Sequence, residues 1–229
     1  MPAIDCKDRS VNLLLLMHAP FAEETMAMAG RLVKFGEIRS VSNSAGLRAA
    51  IAEKPWDLLL AFGTGEIVPT DALQTPSLCA INVHAASPSY PGRDPHHFAA
   101  YDGVAEYGAT LHYMTPVVDQ GPIVNAELCS VQVDASPQQL LACGNAAGLR
   151  LVKKFLEGFD PSVPPSKGTE YQWARRVRKR KDFVELCHVN AQMSYEEFSR
   201  RRRAVAMPGY ANLWTDVHGH RFRIETPTE

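Results

Sequence analysis

The chain has 229 residues, a formal net charge of −1 and 45% hydrophobic residues. This length can hold one complete α/β domain with a smaller appendage, and the ordinary hydrophobic content argues against large-scale disorder. The longest uninterrupted apolar run, Leu13 to Met17, is too short to cross a bilayer, and Met1 to Cys6 lacks the basic and apolar regions of a signal peptide. We therefore expect a cytoplasmic protein with no membrane association.

The first part of the chain alternates predicted strands with predicted helices. Such alternation favours βαβ units and a mostly parallel sheet. In chain order we expect a strand over 13–17, a helix over about 23–35, a short apolar strand near 38–41, a helix over 45–53, and strands over 58–62 and 78–83.

Further along, Asp94-Pro95 is typical of a helix start, because the Asp side chain can accept a hydrogen bond at the cap and Pro needs no amide donor there. Gly103 should end this helix. Two strands, over 109–114 and 122–133, then flank a turn that contains Asp119.

A long helix facing the core should follow. Ser136 is placed to cap it and Gly158 to end it, and apolar residues recur at helical spacing between them. The predicted buried stripe consists of Leu140, Ala147, Leu151 and Phe155.

The charge distribution divides the chain. Residues 1–160 carry 11 basic and 17 acidic residues, whereas residues 161–229 carry 13 basic and 8 acidic residues. The change falls at 161–168, a stretch too rich in Pro and Ser to continue a helix or strand. We therefore predict a catalytic domain over 1–160, a linker over 161–168 and a small basic C-terminal subdomain over 169–229.

The cysteines and histidines do not indicate a metal site. The five cysteines are odd in number and scattered, which favours reduced packing residues over disulfides or zinc ligands. His96 and His97 are adjacent on a predicted helix and should diverge, and His218-Gly219-His220 is typical of a hairpin turn. Neither pair has carboxylates or cysteines at ligand spacing, so we expect no metal.

Asn82 and His84 are the most informative polar residues. Because strand side chains alternate faces, these two should point the same way while Ile81 and Val83 point to the other face. The segment from Ser87 to Gly92 is too rich in Pro and Gly for a strand interior. The polar pair should therefore lie near a strand's carboxyl end, where open α/β sheets bind ligands.

Three motifs follow one another in the middle of the chain: Asn82-Val83-His84, the loop from Ser87 to Gly92, and Asp119-Gln120-Gly121. Together with the segment from Tyr107 to Met114, they resemble the folate-dependent formyltransferases, which act on glycinamide ribonucleotide, methionyl-tRNA and nucleotide-linked amino sugars. The resemblance extends from about Trp56 to Phe159. It implies a Rossmann-like formyltransferase fold and 10-formyltetrahydrofolate as the formyl donor.

Formyl transfer to an amine requires removal of a proton from the attacking nitrogen, stabilisation of an oxyanion and protonation of the departing folate nitrogen. His84 suits proton transfer because imidazole titrates near neutrality. Asn82 can donate its amide hydrogens to the oxyanion, and Asp119 can orient His84 and favour its cationic form. The resemblance implies that these are the catalytic residues, although each one taken singly is more often structural.

The resemblance also implies a folate pocket between two loops. The loop after the strand over 58–62 would enclose the pterin, and the residues before Asp119 would form the opposite wall. Ile67 and Val68 also have an alternative interpretation as core residues. The candidate donor-binding residues are Phe62, Gly63, Ile67, Val68, Met114, Val117 and Val118.

Two features favour an amino-sugar acceptor. The loop over 85–92 is about one residue shorter than in the ribonucleotide and tRNA enzymes, and its Tyr-Pro-Gly form is similar to that of the amino-sugar enzymes. Residues 17–21 contain no glycine, so they lack the loop that cradles phosphate in Gly-rich motifs. Tyr90, Gly92 and Arg93 are the candidate acceptor contacts, and Arg93 is equally well explained as a solvent-facing residue.

The C-terminal residues contain two basic clusters. Residues 175–181 hold six cations, and residues 200–203 hold four. Glu196/Arg200 and Glu197/Arg201 have the spacing of favourable helical ion pairs. The first cluster has no such acidic partners and could meet a nucleotide diphosphate, tRNA phosphates or the acidic body of a second subunit.

The overall prediction is an N-formyltransferase acting on a small-molecule acceptor, with nucleic acid not expected as a partner and a homodimer as one possible assembly. Residues 169–229 look short for the C-terminal barrel domain of the tRNA enzymes, although a hairpin predicted near Gly219 is similar to the segment that follows the catalytic domain in sugar and tRNA formyltransferases. The alternatives are a methionyl-tRNA or other small-amine formyltransferase, a formyl-folate hydrolase, and a nucleotide-sugar or folate binding module without turnover.

Overall fold

The structure, a computed structural model, describes residues 10–168 and 170–224. The predictions for Met1 to Cys6, including the one that Cys6 is a reduced packing residue, lie outside the described residues. In chain order the strands and helices are β1 (Val11–Met17), α1 (Ala19–Ala29), β2 (Phe35–Val41), α2 (Ser44–Glu53), β3 (Leu58–Phe62), α3 (Thr70–Leu73), β4 (Cys79–His84), α4 (Pro95–Asp102), β5 (Glu106–Tyr113), β6 (Ile123–Ser130), α5 (Pro137–Gly158), α6 (Arg180–Leu186), α7 (Tyr195–Val205), β7 (Trp214–Val217) and β8 (His220–Arg223).

Within the described residues, six strands form one sheet in the order β2-β1-β3-β4-β5-β6. The first four strands in this order are parallel, and a helix crosses between each consecutive pair along the chain, as parallel pairing requires. β5 and β6 are antiparallel to their neighbours and are joined by the turn that contains Asp119. The predicted fold class, a mostly parallel α/β sheet with a small C-terminal addition, is confirmed.

Both faces of the sheet are buried. On one face, α1 and α5 pack against strand residues such as Leu60 and Val83. On the other face, α2 and α3 pack against Leu59 and Ala61. Burial of each such leucine contributes roughly 1.5–3 kcal/mol. The continuous apolar runs of β1 and β3 are what a parallel sheet covered on both faces requires.

The long helix α5 confirms the predicted cap and stripe. Ser136 accepts a hydrogen bond from the Gln139 backbone, and the Gln139 side chain accepts one from the Ser136 backbone. This reciprocal capping box satisfies two backbone donors that a helix start would otherwise leave unpaired. The residues of the predicted stripe, Leu140, Ala147, Leu151 and Phe155, are all buried.

The residues after the linker share a hydrophobic core with the body. Phe183 and Leu186 of α6 and Ala204 of α7 belong to the same buried cluster as Phe98 of α4 and Tyr107 of β5. The predicted hairpin is present as β7 and β8. The division into 1–160, 161–168 and 169–229 stays a prediction, and the two larger parts meet through this common core.

The prediction for the first helix was wrong at both ends. It was expected over about 23–35, whereas α1 begins at Ala19 and ends at Ala29. Pro20 occupies its first turn, a position that leaves no amide donor unsatisfied. Phe35 belongs to β2 instead, where its buried ring stacks on Phe159 with 6.2 Å between ring centroids.

The expected side-chain cap at Asp94 is also absent. Asp94 has a φ of 57°, and its carboxylate makes no capping hydrogen bond to α4. A capping side chain usually depends on extended backbone at this position, which the left-handed conformation does not supply. The carboxylate lies instead near the guanidinium groups of Arg93 (3.7 Å) and Arg180 (3.6 Å).

None of the described helices is long and apolar enough to cross a bilayer. The four cysteines within the described residues are free thiols. Burial raises the pKa of Cys79 to about 12, so this thiol stays protonated at neutral pH and is a poor nucleophile.

Candidate active site

β4 presents Asn82 and His84 on one face of the sheet, as strand alternation predicts. Ile81 and Val83 point to the opposite face and are buried in the core beneath α5. Asn82 pairs with Ala61 of β3 in the strand register. The polar pair therefore lies near the carboxyl end of a central strand, with fixed strands on both sides.

The His84 ring is held through both of its nitrogens. Its Nε2 lies 2.9 Å from the backbone carbonyl oxygen of Tyr90, and its Nδ1 lies 3.4 Å from Oδ2 of Asp119. A neutral imidazole carries only one N–H, so only the imidazolium can donate to both acceptors at once. Asp119 therefore faces the ring nitrogen that the Tyr90 carbonyl leaves available.

Asp119 is buried within the turn between β5 and β6. Its φ of 49° lies in the left-handed region, and its carboxylate accepts a hydrogen bond of 2.8 Å from the Gly92 backbone N–H. Burial raises the pKa of this carboxyl, but the charge of His84, the His112 ring and the Gly92 N–H together outweigh burial and lower it. Asp119 is therefore ionised at neutral pH.

His112 of β5 completes the network. Its Nδ1–H donates to the Tyr113 carbonyl (2.9 Å). In the neutral ring Nε2 then accepts from the side-chain amide of Asn82 (3.0 Å), whereas in the protonated ring Nε2–H donates to Asp119 instead. The same Nε2 lies 3.4 Å from Oδ1 of Asp119. An Asn amide has two hydrogens, so Asn82 keeps one hydrogen for a ligand while His112 fixes its orientation.

Trp173 reaches the same site from the C-terminal segment. Its indole ring meets the His112 ring edge-on, with 5.0 Å between centroids and an interplanar angle of 87°. The His84 ring is 6.0 Å away. The indole N–H donates to the Gly121 carbonyl (2.7 Å), in the turn that carries Asp119.

The predicted donor-binding residues divide by their position. Phe62 pairs with Val83 in the register, so its side chain lies on the face opposite Asn82 and is fully buried against α5. Strand alternation turns the Phe62 side chain away from the site, so only its backbone could line the predicted pocket. Val68 and Met114 pack on the hydrophobic cluster on the face of the sheet that carries Asn82.

The remaining donor candidates lie in loops. Ile67, Val117 and Val118 are exposed, with 67%, 61% and 45% of their surfaces accessible. Gly63 adopts a φ of 61° next to the Phe21 ring. Ile67 is therefore not a core residue, and these apolar side chains are accessible to a ligand.

Two of the three predicted acceptor residues have structural roles. The Tyr90 ring is buried and its hydroxyl donates to Asp102 (2.9 Å), so it is a core residue whose carbonyl holds His84. Gly92 contacts Asp119 through its N–H. Arg93 is accessible, with 60% of its side chain exposed.

The structure supplies partners that the first basic cluster lacks in sequence. Arg176 pairs with Asp182 at 2.8 Å, and Arg180 lies near Asp94. Neither pair has the i,i+4 spacing of a helical ion pair, because these partners come from a spacing of six and from a distant loop. Arg178 lies over the Phe98 ring.

In the second cluster, one of the two expected ion pairs is present. Arg201 contacts Glu197 at 2.6 Å. Arg200 does not pair with Glu196; its guanidinium lies over the Tyr101 ring and donates to the Tyr101 carbonyl. Arg200 thus contacts α4, which packs against α7, instead of Glu196 on its own helix.

His96 and His97 form a structural pair. Burial lowers the pKa of His96 to about 3 and also lowers the pKa of His97. The His97 Nδ1 lies 2.8 Å from the Ala204 carbonyl, and its ring packs on Phe183. Across the described residues, no group of three or more His, Cys, Asp or Glu side chains is placed to hold a metal ion.

Sequence reasoning missed His112 and Trp173. His112 lies within the strand that resembles the family, and its cross-strand pairing with Asn82 could have been inferred from the two strand patterns. Trp173 carries no such signal, because its contacts with Gly121 and the two histidines cross more than fifty residues of chain.

Comparison with known proteins places this geometry in a family. A family model described as Formyl transferase matches residues 27–152, more than half of the chain. The methionyl-tRNA formyltransferase of Staphylococcus aureus (strain Newman) is 32% identical over 128 residues, which cover 54% of this chain. The matched part spans only 41% of that relative's length.

Solved structures share the fold over most of the chain. A 4-N formyltransferase from Francisella tularensis superposes with a TM-score of 0.75 at 16% identity, covering 96% of this chain and 98% of that chain. An N-formyltransferase from Helicobacter canadensis, in complex with folinic acid and dTDP-3-aminofucose, gives a TM-score of 0.68 at 15% identity, covering 91% and 85%. With the family model matching more than half of its length, the chain belongs to the formyl transferase family.

Proposed function

We propose that this protein is an N-formyltransferase that moves a formyl group from 10-formyltetrahydrofolate to the primary amine of a nucleotide-linked amino sugar. The observation that carries the proposal is the convergence of Asn82, His84 and Asp119 on one face of the sheet. The His84 Nδ1 lies 3.4 Å from the Asp119 carboxylate. This set supplies an amide donor, a proton carrier and a fixed negative charge within one site.

In the proposed reaction, the acceptor nitrogen attacks the formyl carbon and negative charge develops on the formyl oxygen. Asn82 meets this charge with the amide hydrogen that His112 does not use, and one well-aimed donor contributes roughly 3 kcal/mol. His84 exchanges protons through Nδ1, since its Nε2 holds the Tyr90 carbonyl. The proton removed from the amine is returned to the folate nitrogen as the C–N bond breaks.

The donor would bind beside this triad. The exposed apolar side chains of Ile67, Val117 and Val118 fit the contact surface that a pterin ring needs. Gly63, Val68 and Met114 complete the proposed set. The folate would supply the activated formyl group, while the protein residues orient it and move the protons.

The amino-sugar acceptor is supported by two observations. The sequence has the short Tyr-Pro-Gly loop and no Gly-rich phosphate loop after β1. The fold also matches the sugar-bound Helicobacter canadensis enzyme over 91% of this chain. The curated methionyl-tRNA formyltransferase matches 54% of the chain and makes methionyl-tRNA the second candidate acceptor.

The test is formyl transfer by the purified protein from 10-formyltetrahydrofolate to a panel of nucleotide-linked amino sugars, with methionyl-tRNA in parallel. We expect formylated amino sugar. His84→Ala and Asp119→Asn should each lower turnover by roughly 10²–10⁴-fold, the usual contribution of a general acid or base. Near-normal turnover in either variant would contradict the assigned roles.

Asp102→Asn is the matched control for Asp119→Asn. It makes the same chemical change at a carboxylate that binds the Tyr90 hydroxyl outside the triad, so turnover should be largely kept. Product only with methionyl-tRNA would overturn the acceptor class. Formate release that no acceptor suppresses would identify a hydrolase, and binding without turnover would identify a binding module.

The cytoplasmic location and the homodimer stay predictions. Gel filtration combined with light scattering would check the oligomeric state directly. Fractionation of the source cells would check the location.

A further inference from the structure

A strap over 173–178 is fastened to the loop that follows β4. The Ala174 N–H donates to the Pro88 carbonyl, the Arg178 N–H donates to the Pro91 carbonyl, and the Arg93 N–H donates back to the Arg178 carbonyl, each at 2.9 Å. These backbone hydrogen bonds do not depend on side-chain identity. They fix the strap against the loop whose Tyr90 carbonyl holds His84.

Trp173 lies at the start of this strap and is fixed at the site on two sides. Its N–H donates to the Gly121 carbonyl at 2.7 Å, and its ring meets both the His112 and the His84 rings. The indole is half-buried. One part of the ring thus fills space beside the proton carrier while another part remains accessible.

The space that the indole fills is suited to water. Removing the ring would open room for several water molecules, each of which occupies about 30 Å³ in the liquid. The Gly121 carbonyl, which would lose its indole N–H donor, would supply a polar partner there, and the His84 and His112 rings would border the space. A water held at this position would lie next to the group that accepts a proton from the attacking nucleophile.

We propose that Trp173 determines whether the formyl group is transferred to an amine or to water. This inference rests on the proposed function. In the unwanted reaction, a water oxygen bonds to the formyl carbon, the bond from that carbon to the folate nitrogen breaks, and one water proton passes through His84 to that nitrogen. The products are tetrahydrofolate and formic acid, which ionises to formate. Trp173 suppresses this reaction by occupying the position that water needs.

The test measures formate release from 10-formyltetrahydrofolate in the absence of an acceptor. Trp173→Ala should release formate roughly tenfold faster than the wild type, because water is no longer excluded. Trp173→Phe keeps most of the ring but loses the N–H, so its release should remain within about threefold of the wild type. Trp173→Leu provides the same comparison if the alanine variant does not fold.

Trp214→Ala is the matched control, because Trp214 is also half-buried and its indole N–H donates to the Val184 carbonyl. Its formate release should equal that of the wild type. Calorimetric measurement of folinic acid binding distinguishes a failure of the proposed Trp173 role from a failure of the proposed function. If the wild type and Trp173→Ala bind folinic acid but the variant releases no more formate, the role of Trp173 is overturned alone. If the wild type does not bind folinic acid, the proposed function fails with it.

Discussion

Gly92 connects the strap to the Asn82, His84 and Asp119 site. It has a φ of 98°, a conformation that side chains other than Gly rarely adopt. Its N–H donates to Asp119, and a Cβ at this position would collide with the Arg178 carbonyl. Gly92 therefore donates to the Asp119 carboxylate and allows the strap to approach at the same point.

We predict that Gly92→Ala lowers the free energy of unfolding more than Gly209→Ala does. Gly209 also has a positive φ, of 79°, but a Cβ there meets nothing within 4 Å. Backbone strain should cost about 1–3 kcal/mol in both variants, and overpacking against Arg178 should add about 1–3 kcal/mol in Gly92→Ala alone. Urea unfolding of both variants measures the difference, and equal losses would show that the strap tolerates a side chain.

At the level of elements, α5 packs against the end of β4, the strand that carries Asn82 and His84. Gly144 of α5 lies against the Ala85 carbonyl and near the Gly108 carbonyl of β5, with no room for a Cβ. Ala85 directly follows His84. The packing distance between this helix and the end of β4 therefore helps to fix the position of His84.

Two glycine substitutions in α5 should have opposite effects on stability. Gly158→Ala places its Cβ in open space and should stabilise the protein by up to about 1 kcal/mol through helix propensity. Gly144→Ala gains the same propensity but should lose about 1–3 kcal/mol through overpacking. Thermal unfolding measures both effects: the Tm should rise for Gly158→Ala and fall for Gly144→Ala.

Formyl transfer rates then test the connection to the site. Gly144→Ala should also be slower, since displacement of Ala85 moves His84. A Gly144→Ala enzyme with unchanged stability and rate would show that the helix can move away without disturbing the strand.

At the level of the whole molecule, the C-terminal segment and the α/β body behave as one packed unit. Phe183, Leu186, Ala204 and Leu213 are buried in a cluster with residues of α4 and β5. The same segment places Trp173 against the His84 and His112 rings. Its separation from the body would expose this core, so we expect the two parts to unfold together.

Single-tryptophan variants test this expectation. The chain has three tryptophans, so Trp173→Phe/Trp214→Phe leaves Trp56, which is buried in the body. Trp56→Phe/Trp173→Phe leaves Trp214 on the hairpin. In each variant, the fluorescence transition in urea should coincide with the far-ultraviolet circular dichroism transition, as two-state unfolding requires. An earlier Trp214 transition would instead reveal an independently unfolding subdomain.

Local patterns predicted a large part of this fold and site. The strand over 58–62, the cap and stripe of α5, and the common face of Asn82 and His84 all follow from side-chain periodicity. These features depend only on neighbours in sequence. The first helix was misplaced because its apolar spacing is weak, and the signal from Pro20 at its start was not used.

The sequence by itself determined the fold class, the family motifs and the pairing of Asn82 with His84 on one face, because strand and helix periods are local properties of the backbone. Only the tertiary structure decided that Phe62 turns away from the site, that His112 orients Asn82, and that Trp173 covers the histidines. These contacts depend on the register between strands and on a strap that returns from a distant part of the chain, and neither is encoded in a local pattern.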